Sequence, residues 1–122
     1  MGLTSEALQR IRDAVGDDDL VIAEILQSFV DEVDDLLDTL AGAAATNDVT
    51  VLRRVAHTLK SNCRDLGDEA AGDLCAKLES DARGGEINKV DAATAQIVDK
   101  VLALKSEVVS YLNPARKGSR TP

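Results

Sequence analysis

The residue best suited to chemistry in this 122-residue chain is His57, its only histidine. Imidazole is largely neutral at physiological pH and offers a nitrogen lone pair that can attack phosphorus to form a phosphoramidate. If the surrounding sequence is helical, four cations lie within about 60° of His57 around the helix axis, at 100° per residue. These cations are Arg53, Arg54, Lys60 and Arg64. A phosphoryl group suits this surface, because cations stabilise its charge and donate hydrogen bonds to its oxygens.

Ser61 shares this surface, which we call the His57 face: residues 53, 54, 57, 60, 61 and 64. No Asp or Glu occurs in residues 49–64, although the chain has 22 acidic and 14 basic residues and a net charge of −8. The sequence therefore predicts a local charge of +4 around a neutral nucleophile. An exposed histidine with basic neighbours is also common on helices that have no such function, so the pattern alone leaves both interpretations open.

Composition and periodicity predict an all-α chain that positions this face. Only 2% of residues are aromatic and both prolines follow residue 113, so long helices can pack through aliphatic side chains. The predicted helices cover residues 4–15 with Thr4 as N-cap, a long segment opened by residues 17–19, residues 49–66, residues 68–83, and a segment that begins near Asn88.

Apolar stripes along the last four helices and the short turns between them predict an up-down-up-down four-helix bundle, with an additional short N-terminal helix. The stripes place Cys63 and Cys75 among buried apolar residues, so we expect two small hydrophobes rather than a disulfide or a metal site. Residues 1–113 form the predicted domain. Residues 114–122 are expected to form a flexible polar and basic tail.

Several other functions are disfavoured. The acidic charge opposes binding to nucleic acid or to an anionic membrane, and the apolar runs are too short for a transmembrane helix. The N-terminus lacks the features of a signal peptide, so we expect a cytoplasmic protein, and we expect a monomer. No glycine-rich nucleotide loop occurs. We therefore expect no metal and no cofactor of the chain's own.

The sequence around His57 resembles the histidine-containing phosphotransfer (HPt) domains of multistep phosphorelays. It reads A-H-T-L-K at residues 56–60, L-G at 66–67 and L-C-A-K-L-E at 74–79. The usual family pattern is A-H-x-L-K-G-S-x-x-x-L-G followed by L-x-x-x-C-x-x-L-E. The resemblance covers roughly residues 20–86. It implies a four-helix bundle with an exposed phospho-accepting histidine, receiver domains of response regulators as partners, and a hybrid histidine kinase upstream.

Carried over by position, the resemblance implies that His57 is the phospho-acceptor and that Lys60, one turn on, stabilises the phosphoryl oxygens. Arg53, Arg54, Ser61 and Arg64 are then predicted to contact the partner. The family usually has Gly at the position of Ser61, so we expect the hydroxymethyl group of Ser61 to affect docking geometry and partner choice. Such a protein is a stoichiometric carrier rather than an enzyme, and any Mg²⁺ is expected on the receiver.

Two alternatives remain at this stage. The dimerisation and phospho-acceptor module of a histidine kinase also carries a histidine on a helix, but an acidic residue usually follows it, and here the next residue is Thr58. A non-catalytic helical adaptor could instead use the basic face to dock an acidic partner.

Overall fold

The computed structural model describes residues 2–85 and 90–113, and these residues form five α-helices and no strand. No helix in these two ranges is both long and apolar enough to span a membrane. The helices are α1 (Ser5–Val15), α2 (Asp19–Thr46), α3 (Val49–Asp65), α4 (Glu69–Arg83) and α5 (Val90–Leu112).

Short polar side chains cap the N-terminal ends of the first four helices. The Thr4 hydroxyl accepts a hydrogen bond from the backbone N–H of Ala7, as expected for the N-cap of α1. Asp18, Asp48 and Asp68 accept equivalent bonds at the starts of the next three helices. The predicted start of the fifth helix near residue 88 and the predicted tail at 114–122 lie outside the described residues.

The last four helices pack as a ring in which α3 contacts α2 and α4, and α5 contacts α2 and α4; α1 packs on α2. This arrangement confirms the predicted four-helix bundle with a short extra helix.

Both cysteines are free and buried in the core of the bundle. Four predicted stripe positions are not fully buried: Ile25 is 41% exposed, and Leu36, Leu74 and Leu112 are only partly buried. The largest fully buried aliphatic side chains include Ile22, Leu26, Leu40, Leu52, Leu59, Leu78, Ile97 and Leu104.

The start of α1 is fixed against the turn that joins α3 to α4. The backbone N–H of Thr4 donates to the carbonyl of Leu66 at 3.1 Å, and Arg10 donates to the carbonyl of Arg64 at 3.3 Å. Gly67 has a φ of +94°, and a Cβ there would collide with the Thr4 hydroxyl. The helix that carries His57 thus ends in a turn on which α1 sits directly.

Gly67→Ala should lower the free energy of unfolding by about 2 to 4 kcal/mol. About 1 to 2 kcal/mol reflects the left-handed backbone, and the remainder reflects displacement of the Thr4 cap. Gly16→Ala is the matched control, because Gly16 has a φ of +71° with no atom within 4 Å of a built Cβ. Chemical denaturation measures both variants. Equal losses would contradict the close docking of α1 on this turn.

Candidate functional site

His57 lies in the middle of α3 and points out of the bundle. Its side chain is 62% exposed, whereas Leu52, Val55 and Leu59 on the other side of the same helix are buried. The amphipathic pattern of α3 therefore presents the imidazole to an approaching molecule, while the backbone beneath it is held by the core.

A carboxylate from the neighbouring helix holds the imidazole. Glu79 on α4 has a side chain only 11% exposed, and its Oε2 lies 3.0 Å from Nδ1 of His57. Its Oε1 accepts a hydrogen bond from Lys60 at 2.7 Å, and Arg83 donates to Oε2 at 3.4 Å. A carboxylate can only accept, so the neutral imidazole must carry its proton on Nδ1. The lone pair is then on Nε2, the nitrogen available to an electrophile.

Glu79 is held in its charged form. Its pKa lies below the ordinary value because Lys60 donates a hydrogen bond to it and because His57 donates a second one, while burial acts in the opposite direction. An ionised, mostly buried carboxylate is tolerable here because three donors surround it.

The expected charge of +4 on the His57 face is wrong, because α4 brings carboxylates to this surface. Lys60 pairs with Glu79. Arg64 lies 3.1 Å from Asp73, and its Nε is 3.7 Å from Glu69. A helical wheel of α3 alone omits these residues, since they come from a different helix. Arg53 and Arg54 remain exposed on the face.

Arg64 is more constrained than a surface cation. Its aliphatic part packs over Gly72 on α4, where a Cβ would lie 2.7 Å from the Arg64 Cγ. Only the absence of a side chain at Gly72 permits this approach. Arg64 therefore acts at least in part as a link between α3 and α4, a role that sequence reasoning did not assign to it.

A groove of about 310 Å³ between α1, α2 and α3 opens beside the His57 face. Its apolar lining includes Ile11, Ile25, Phe29 and Leu66, and its polar lining includes Arg10, Glu32, Asn62 and Asp65. The sequence did not predict this groove, because its walls depend on how α1 sits across the other two helices. Ser61 is exposed at the adjacent position of α3.

Sequence reasoning also assigned no role to Glu79, although this residue ends the second motif. The Leu78-Glu79 pair could have indicated this role, because Leu78 is fully buried and the next residue therefore lies at the edge of the helix interface. Within residues 2–85 and 90–113, no three His, Cys, Asp or Glu side chains are grouped so as to hold a metal ion.

Known proteins resemble this chain in sequence and in fold. The family model for the Hpt domain matches residues 24–107. Sensor protein TorS of Escherichia coli (strain K12) is 43% identical over 58 residues, which make up 48% of this chain and only 6% of that protein. The crystal structure of histidine-containing phosphotransfer protein B (HptB) from Pseudomonas aeruginosa PAO1 has a TM-score of 0.81 at 22% identity. That match covers 93% of this chain and 96% of HptB, and it shows a shared fold.

Glu79→Gln should lower stability in a pH-dependent way. The pKa of Glu79 is depressed in the folded chain, so its charge stabilises the fold above the ordinary pKa of 4.5, and this contribution is lost as the pH falls below it. Denaturation of wild type and variant from pH 5 down to pH 3 should give a stability difference that shrinks with acidification. Glu69→Gln, at an exposed carboxylate on the same helix, should cost less than about 0.5 kcal/mol at pH 7. A Glu79→Gln difference that stays constant or grows below pH 4.5 would contradict the assignment.

Proposed function

Because this chain belongs to the Hpt domain family, we propose that His57 accepts a phosphoryl group from the phospho-aspartate of one receiver domain and passes it to another. The observation that supports this most strongly is the hydrogen bond between Nδ1 of His57 and Glu79. It leaves the lone pair on Nε2, on an exposed ring. A surface histidine without a chemical role would not need a hydrogen bond to a mostly buried carboxylate.

In the proposed step, Nε2 forms a bond to phosphorus as the acyl phosphate P–O bond breaks. The bonding electron pair leaves with the aspartate oxygen, and the proton on Nδ1 stays in place. The ring becomes a cationic phospho-imidazole, and its positive charge is stabilised by Glu79, whose Oε2 lies 3.0 Å from Nδ1. The reverse step, toward a second receiver, releases a neutral imidazole. Phosphoryl transfer of this kind depends on positioning and charge stabilisation more than on covalent catalysis.

Lys60 is proposed to stabilise the phosphoryl oxygens. Its ammonium group already donates to Oε1 of Glu79, but an ammonium has three N–H donors. One bond to Glu79 fixes the position of the group and leaves two donors for a phosphoryl group on the neighbouring ring. Glu79 would therefore position both the nucleophile and its cation.

The receiver is proposed to cover the His57 face and the adjoining groove between α1, α2 and α3. Arg53 and Arg54 are exposed and would meet the acidic rim of a phospho-aspartate site, where such charges act chiefly on the association rate. Ser61 lies one turn after His57, so its side chain would lie within the contact. Any Mg²⁺ would be bound by the receiver, and a hybrid histidine kinase is the proposed upstream source of phosphate.

His57→Gln should abolish phosphorylation by a phosphorylated receiver or by its upstream kinase. The variant removes the only imidazole in the chain without opening a cavity. It should cost about 0.5 to 1.5 kcal/mol for the altered hydrogen bond to Glu79. Acid-labile, base-stable phosphate is measured after incubation, with helicity recorded by circular dichroism. Acid-labile phosphate on the folded variant would refute the assignment. If the wild type binds receivers without ever acquiring phosphate, the adaptor alternative is correct.

Ile25→Asp should weaken receiver binding about 10-fold, since it places a charge in the apolar lining of the proposed docking groove. Leu102→Asp is the matched control, because Leu102 is a similarly exposed aliphatic residue on α5, 44% exposed against 41% for Ile25. Titration calorimetry with one receiver should leave the Leu102 variant within twofold of wild type. Equal weakening by both substitutions would exclude the groove as the specific docking site.

A further inference from the structure

Arg83 contacts the same carboxylate oxygen that holds the imidazole. It lies one turn after Glu79 on α4, and its Nη2 is 3.4 Å from Oε2, the oxygen that is 3.0 Å from Nδ1 of His57. A carboxylate beside a histidine favours the protonated imidazolium. The imidazolium has no lone pair on Nε2, so an unopposed Glu79 would orient the ring while reducing its ability to attack phosphorus.

We propose that Arg83 is a positioning residue for phosphoryl transfer: by sharing Oε2 with His57, it reduces the extent to which Glu79 stabilises the imidazolium while Glu79 still orients the ring. This inference rests on the proposed function of His57 as the phospho-acceptor. Lys60 partly neutralises the carboxylate charge through its bond to Oε1, but it is also proposed to bind the phosphoryl oxygens. Arg83 lies on the Nδ1 side of the ring and has no proposed contact with the phosphoryl group.

The other charged groups near His57 do not prevent Arg83 from affecting the protonation of the imidazole. On α3 the neighbouring charges are Arg53, Arg54, Lys60 and Arg64, and Arg64 is drawn toward Glu69 and Asp73. On α4 they are Glu79 and Arg83. On α2 and α1, which also border α3, Glu32 and Arg10 line the groove beside Asn62 and Asp65, one to two turns beyond the imidazole. Arg83 is thus the cation that shares the oxygen bound to Nδ1.

The expected size of the effect is modest, because the Arg83 side chain is 60% exposed. Arg83 and His57 contact the same oxygen at 3.4 and 3.0 Å, so their charged groups are at most about 6 Å apart, and a unit charge at that distance in a water-like dielectric shifts a titration by roughly half a pH unit. Such a shift changes the fraction of neutral imidazole about two- to threefold when the pH is below the titration midpoint.

The test is an NMR titration of His57 in protein without a histidine tag, where the ring signals are unambiguous because the chain has one histidine. Arg83→Gln should move the midpoint of the imidazole titration up by roughly 0.3 to 0.5 pH unit, and Arg83→Lys should restore most of the wild-type value. Lys77→Gln is the matched control: it removes one cation and one i,i+4 ion pair from α4, about 160° around the helix from Glu79. An unchanged midpoint in Arg83→Gln, or an equal shift in Lys77→Gln, would overturn the proposal.

A second measurement connects the titration to transfer. The rate of phosphoryl acceptance from a phosphorylated receiver, measured from pH 5.5 to 8.5, should fall two- to threefold in Arg83→Gln at the acidic end and match wild type at the alkaline end. A uniform loss at all pH values would indicate a merely structural role and overturn the proposal. If the wild type accepts no phosphate, the proposed function fails, whereas the NMR titration still decides whether Arg83 controls the protonation of His57.

Discussion

The candidate site depends on a single carboxylate that is shared by three donors. Glu79 sits at the edge of the α3–α4 interface and binds Nδ1 of His57, the ammonium of Lys60 and the guanidinium of Arg83. A mostly buried charge would be costly without these partners. With them, one side chain selects the imidazole tautomer, positions a cation and connects two helices. Each of these effects requires that α3 and α4 keep their relative register.

That register is maintained by small side chains. Cys63 and Cys75 are fully buried between these helices, and the neighbouring Cys75 side chain, together with burial, raises the pKa of Cys63. Gly72 admits the aliphatic part of Arg64. Small residues bring the two helix backbones close together, so that a side chain as short as glutamate reaches across to the imidazole. At the end of α3, Gly67 supplies the left-handed turn that reverses the chain.

The fold was largely predictable because its signals are local. The Thr4 cap, the ends of the helices near residues 15, 66 and 83, and most of the aliphatic stripes can each be recognised within a few residues, and the structure has them close to where they were expected. The site was predictable only in part. The outward position of His57 follows from the periodicity of α3, but its contact with Glu79 spans 22 residues of sequence. The ion pairs of Arg64 and the groove beside α1 likewise depend on packing between helices, which a helical wheel does not contain.

If a receiver docks as proposed, the groove between α1, α2 and α3 separates recognition from chemistry. Its walls include Arg10, Ile11 and Ile25, none of which belongs to the Glu79 network on α3 and α4. Residues on α1 and α2 can therefore diverge during evolution while the imidazole, its tautomer and its neighbouring ammonium stay the same. Duplicated copies of such a domain could acquire separate sets of partners through a few substitutions on one side of the bundle. Insulation between parallel signalling pathways would then arise without any change in the reaction itself.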